Sequence, residues 1–203
     1  MISTIITILF VLAFQGVTIW LCQGLKFSVR RLCYASLACA LTVVLSYIYI
    51  PLPTGSSIAC CSVLPLMVLA VVTDYRLAMV SGWVCGLLAM LMVPGWQPVH
   101  WGQIFVEQMV CFSCLGYTAV FGTANRGRIL AGALLASVLK ILGHILSGVL
   151  FFSQNAWAGW GAWGYSLAYN LSSTVPECAI SIVLLLLLPL GALRRVAAKG
   201  AAA

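Results

Sequence analysis

From Met1 to Gln23 the sequence carries no charged side chain, and six further apolar runs follow, at Leu32–Ile50, Ile58–Thr73, Leu77–Val93, Trp101–Phe121, Ile129–Phe152 and Tyr165–Leu193. A helix needs about 20 mainly apolar residues to cross the hydrocarbon core of a bilayer. In lipid the backbone must satisfy its own hydrogen bonds, and a helix does so within a single segment. Composition excludes the soluble alternative. Hydrophobic residues make up 64% of the 203 residues and charged ones only 6%, where a soluble domain carries about 25% charged residues to clothe its surface. The expected fold class is therefore all-α integral membrane, one bundle facing lipid with no soluble domain appended.

The charges that remain set the topology. Lys26, Arg30 and Arg31 fall in the first gap, Arg76 with Asp74 in the third, Arg126 and Arg128 in the fifth, and Arg194, Arg195 and Lys199 in the tail. The second, fourth and sixth gaps hold no Lys or Arg. Under the positive-inside rule the basic gaps are cytoplasmic, so the N-terminus is expected outside and the C-terminus inside the cell membrane. The opening run lacks the basic n-region of a secretory signal, and basic residues follow it, so it reads as a retained helix. The net charge of +7 is thus a topology signal. Nucleic-acid binders cluster Lys and Arg along one aqueous face, which this chain does not do, and its surroundings are membrane lipid. The nine cysteines lie inside apolar stretches and read as small buried hydrophobes.

Ionisable groups inside membrane helices are costly and mark functional sites by default. Glu107, Lys140, His144 and Glu177 are the candidates. At a rise of about 1.5 Å per residue, Glu107 lies about 9 Å, His144 about 12 Å and Asn170 roughly 8 Å below the outer ends of their helices. Three polar side chains on three helices thus reach one level of the outer leaflet. Small and polar residues surround them at helical spacing, among them Cys111, Cys114, Ser147, Gly148, Ser166 and Ser173. Such a face also serves plain helix packing. Glu177 lies about 18 Å down its helix, where it could pair with Lys140 or line a cavity floor. The uncharged gaps are rich in Gly, Pro and Trp, which suits either an interfacial aromatic belt or a lid over an outward-facing pocket.

The spacing of Cys111 and Cys114 lacks the second ligand pair that a thiolate metal site needs. No nucleophile elbow, zinc-binding helix or phosphate-cradling loop is present. No metal or cofactor is expected, and the chain cannot hydrolyse ATP by itself.

Four stretches carry a family resemblance: Lys-Phe-Ser-Val-Arg-Arg at 26–31, Gln-Ile-Phe-Val-Glu at 103–107, Leu-Lys-Ile-Leu-Gly-His at 139–144, and the long aromatic stretch at 152–170. In these the chain resembles the thiamine-specific substrate-binding (S) component of energy-coupling factor transporters. The resemblance implies a six-helix bundle, residues 26–203, that binds a vitamin from outside, with residues 1–25 an additional N-terminal transmembrane helix. It implies a membrane-embedded coupling protein and cytoplasmic ATPase subunits as partners. Carried over by motif, Glu107, His144, Tyr165 and Asn170 surround the ligand, with Phe152, Gln108 and Gly148 beside them. Small residues on the first core helix, Ser36 and Ala40, are the candidate face for the coupling protein.

The aromatic positions of the family align here with Ser56, Cys85, Gln97, Gln108 and Phe152, and only Phe152 keeps a ring. A pyrimidine precursor or related small heterocycle is therefore an alternative cargo. A membrane enzyme using Glu107 and His144 for acid–base chemistry is a further alternative from a different class.

Overall fold

The computed structural model describes residues 2–92 and 98–199. Helices α1 (Ile2–Cys22), α2 (Val29–Ser46) and α4 (Tyr75–Met92) are long and apolar enough to cross a membrane, as are α6 (Arg126–Phe151) and α7 (Ala162–Leu187). A shorter apolar helix, α5 (Ile104–Ala119), completes the wall between α4 and α6. A short helix α3 (Leu64–Val72) and a basic terminal helix α8 (Leu190–Lys199) make up the rest. The chain is an all-α multi-pass membrane protein.

Local chemistry sets the helix ends. Ser28 accepts a hydrogen bond from the Arg31 amide, and Asn125 accepts one from the Arg128 amide, so each starts its helix with an N-cap. Such caps satisfy backbone donors that a helix start leaves without partners. Asp74 Oδ1 does the same for the Arg76 amide at 3.0 Å in the tight α3–α4 turn. Pro189 follows the end of α7 and separates it from α8, because proline cannot donate to a continuing helix ladder.

Two apolar runs differ from the sequence expectation. Ile58–Thr73 is not one helix, because Ser57–Ala59 forms strand β2, paired antiparallel with β1 (Tyr49–Pro51). Gly55, at φ +84°, turns this hairpin. The helix begins only at Leu64 and spans 9 residues, about 14 Å, too short to cross the core alone. Tyr165–Leu193 is likewise broken, at Leu188 and Pro189.

Backbone contact through glycine holds the centre together. A methyl group on Gly82 of α4 would sit 2.5 Å from Phe112 O, and one on Gly132 of α6 would sit 2.2 Å from Thr118 O. Small residues at such crossings let membrane helices approach closely, where packing rather than water drives association.

The basic gaps gather at one end of the bundle. Arg31 Nη1 lies 3.6 Å from Asp74 Oδ2, and Arg76 Nη1 donates to Gln23 O at 3.2 Å. Arg194 donates to Val71 O at 3.1 Å and to Thr123 O at 2.7 Å. The β-hairpin follows α2 and precedes α3, at the opposite ends of these helices. The nine cysteines are free thiols, and five are buried. Cys33 and Cys60 are exposed.

Candidate functional site

Beside the hairpin, α2, α4, α5, α6 and α7 enclose a polar cavity of about 280 Å3. It is at the small end of ligand pockets, which run from about 300 Å³. Glu107 and Gln108 reach it from α5, Lys140 and His144 from α6, and Tyr169, Asn170 and Glu177 from α7. Ser46, Ser56, Ser62, Ser173 and Thr174 supply hydroxyls to its wall.

Glu107 is presented by a turn of π-helix, Ile104–Val110. Such wide turns occur within α-helices mostly as single turns, often at functional sites. The two carboxylate oxygens have different surroundings. Oε2 accepts from Gln103 Nε2 at 2.7 Å and from Ser147 Oγ at 3.0 Å. Oε1 faces His144 Nδ1 at 3.6 Å. Gln103 is itself fixed, because its Oε1 accepts from the Val99 amide at 3.0 Å. Charge-assisted bonds of this kind are about twice as strong as neutral ones and hold the carboxylate in one orientation.

Asn170 is fixed by its amide nitrogen, which donates to His144 O at 3.3 Å and to Ser166 O at 2.9 Å. Its Oδ1 is left with no donor among the described residues. Gln108 Oε1 is buried and likewise without a donor there. Two carboxamide oxygens and one carboxylate oxygen therefore stand as acceptors around the cavity.

At its floor Lys140 is buried and forms no ion pair among the described residues. Its Nζ stands 5.3 Å from the centroid of the Phe112 ring. Glu177 does not pair with it; Glu177 Oε1 accepts from Ser62 Oγ at 2.5 Å. This bond ties α7 to the residues just after the hairpin.

The hairpin turn is fastened to α7 over the cavity. Tyr169 OH donates to Gly55 O at 3.2 Å, and Ser56 Oγ lies 3.2 Å from Ser172 Oγ.

Of the residues expected from sequence, Glu107, Gln108, His144 and Asn170 share this cavity. Tyr165 lies beside it, its ring edge-on to Trp157 at 5.1 Å and 5.6 Å from that of Tyr169. Gly148 is a packing position, since a methyl group there would sit 2.2 Å from Ser166 Oγ. Phe152 caps the end of α6. Neither Phe152 nor Gly148 is part of the cavity lining. Ser56 lines the cavity, Cys85 is buried in α4 with its thiol toward Cys39 O, and Gln97 lies outside the described residues. The sequence did not single out Gln103 or Tyr169, and it named Ser147 only as one of the small residues on the His144 face. As neutral polar side chains, they resemble ordinary packing residues until their partners are known. Ser36 and Ala40 are exposed on α2, along an apolar groove shared with α4.

Fold and cavity together define a multi-pass helical membrane protein with a polar chamber at one end of its bundle. The chain belongs to the thiamine transporter protein family, whose profile matches residues 32–196. It is 25% identical over 157 residues to the thiamine transporter ThiT of Bacillus subtilis (strain 168), covering 71% of this chain and 81% of that one. A solved structure of ThiT from Listeria monocytogenes superposes with a TM-score of 0.69 at 23% identity, covering 77% of this chain and 91% of that one. The family is one of transporters, not of enzymes. The match begins within α2 and omits α1.

Proposed function

We propose that this protein is the substrate-capturing S component of an energy-coupling factor importer and that thiamine is its cargo. Family membership supports the class, and one observation carries the cargo. Glu107, Gln108 and Asn170 line the cavity together, Glu107 Oε1 facing His144 and the Gln108 and Asn170 carboxamide oxygens without a donor among the described residues, and His144 and Tyr169 supply aromatic faces. The aminopyrimidine of thiamine brings amine donors to such acceptors, and its thiazolium brings a positive charge to the carboxylate. Aromatic faces attract a desolvated cation by about 2 kcal/mol or more. A site built to hydrogen-bond its ligand rejects analogues lacking the matching group, because its own polar atoms are then left unpaired.

Glu107, His144, Asn170 and Gln108 are the residues we assign to direct recognition. Tyr165, Phe152 and Gly148 act one layer out, by holding the α6–α7 crossing and the Tyr169 ring. The ligand enters from outside, with the N-terminus outside and the basic end of the bundle in the cytoplasm. Residues 26–203 form the substrate-binding core and residues 1–25 an added helix. Transport is driven by a membrane-embedded coupling protein, docked along Ser36 and Ala40, and by its ATPase subunits.

The hydroxyls of Ser46, Ser56, Ser62, Ser173 and Thr174 line the cavity, and Ser56 stands at a position where the family pattern has a ring. This favours, as a second reading, a pyrimidine precursor smaller than thiamine. Titration of purified protein with thiamine and with its isolated pyrimidine half, followed by Trp fluorescence, decides between them. Tighter, saturable binding of thiamine supports the first reading. Tighter binding of the pyrimidine half replaces it with the second, and binding of neither removes both.

A further inference from the structure

We infer that α1, the helix outside the family match, is a positioning element for Glu107, acting through Thr18. The inference rests on the reading of Glu107 as a ligand-binding group.

The helix that presents Glu107 is irregular throughout. Residues Ile104–Val110 form π-turns, Cys111–Ser113 one α-turn and Cys114–Ala119 a 3-10 helix. Each change of pitch disturbs the backbone hydrogen-bond ladder, and hydrocarbon supplies no water to compensate. Irregular backbone at membrane depth is tolerated only where protein or a water-filled cavity covers it. The segment meets that condition, with Val110, Cys111, Ser113, Cys114, Leu115 and Thr118 all 0% exposed.

Two of its flanks are covered by close glycine contacts, from Gly82 and Gly86 on α4, the latter against Gln108 O, and from Gly132 and Gly143 on α6, the latter against Cys111 Sγ. α1 packs on α4, on the π-helical turns and on α6, and so covers another flank. Its buried residues are Thr7, Phe14 and Thr18, a single stripe at helical spacing on an otherwise lipid-facing helix. Thr18 is 0% exposed, and its Oγ1 lies 2.9 Å from Tyr117 OH on the 3-10 end of α5. The Phe14 ring stands 5.6 Å from the same tyrosine. Gln15 Oε1 accepts from Trp83 Nε1 of α4 at 3.1 Å. A helix serving only as an anchor has no need of polar bonds directed at its neighbours. These bonds fix the rotation and depth of α1, and α1 in turn holds the mixed helix in the register that aims Glu107 into the cavity.

Hydrogen exchange tests this on the intact protein and needs no ligand. In Thr18→Val, amides of residues 104–119 should exchange about three- to tenfold faster, the scale of one lost interhelical hydrogen bond in a membrane. Those of α7 should be unchanged, and Thr18→Ser should restore protection. The second measurement is thiamine affinity. Kd should weaken by a similar factor in Thr18→Val, and the substitution should have no further effect in a Glu107→Gln background. Unchanged protection of 104–119, or a loss spread evenly over the bundle, overturns the inference. Equal weakening of Kd in both backgrounds also overturns it. If the wild type binds no thiamine, the cargo assignment fails, while hydrogen exchange still decides the role of α1.

Discussion

Glu107 Oε1 stands 3.6 Å from His144 Nδ1, while the second carboxylate oxygen holds two protein donors. One oxygen is thus spent on orientation and the other is directed at the cavity. The carboxylate is costly to bury and has been given the partners that keep it in place.

Glu107→Gln replaces that acceptor with an amide and removes the charge. A hydrogen bond involving a charged group contributes about 1.5–3 kcal/mol. We therefore expect thiamine affinity to fall by roughly 10- to 100-fold, with thermal stability changed far less. Calorimetric titration beside a melting curve checks both. Unchanged affinity would remove Glu107 from the site.

Tyr169→Phe keeps the ring beside the cavity and removes the bond to Gly55 O. A net hydrogen bond of about 0.5–1.5 kcal/mol fastens the hairpin turn to α7. Its loss should speed ligand release about two- to tenfold and alter association less. Stopped-flow fluorescence with separate on- and off-rates reads the difference. An unchanged off-rate means that the hairpin does not retain the ligand.

Gly132→Ala tests the close approach of α5 to α6. The added methyl would lie 2.2 Å from a backbone oxygen, which cannot move aside as a flexible side chain would. Overpacking of this kind costs about 1–3 kcal/mol. We expect a clear fall in melting temperature in detergent, whereas Gly161→Ala, with open space around the position, should have little effect.

Two exposed cysteines report the orientation of the bundle. Cys60 lies at the end of the hairpin, and Cys33 lies in the first turns of α2 next to the basic end. In single-cysteine variants in intact cells, a membrane-impermeant maleimide should label Cys60 and should reach Cys33 only after permeabilisation. The reverse pattern would invert the topology.

Much of the architecture was legible because charge is so expensive in lipid. Arg31, Asp74, Arg76 and Arg194 could only lie at bundle ends, and they meet at one. The hairpin was not legible, because Ile58 and Ala59 are as apolar as the helix that follows, and a short apolar run does not reveal its own period. Glu107 and His144 stood out for the same electrostatic reason as the loops. Their neighbours did not, since Ser147 looks like any small residue at a helix crossing until Glu107 is seen beside it. The link from Tyr169 to Gly55 joins residues 114 positions apart, and no local pattern announces such a contact.

The most direct test of the central claim is mass spectrometry of the small molecule that co-purifies with the protein from cells supplied with thiamine. The account predicts thiamine at about one molecule per chain in the wild type, and far less when Glu107→Gln and Asn170→Ala are combined in a folded protein. A different molecule in the wild-type cavity, or equal thiamine in both proteins, would contradict it.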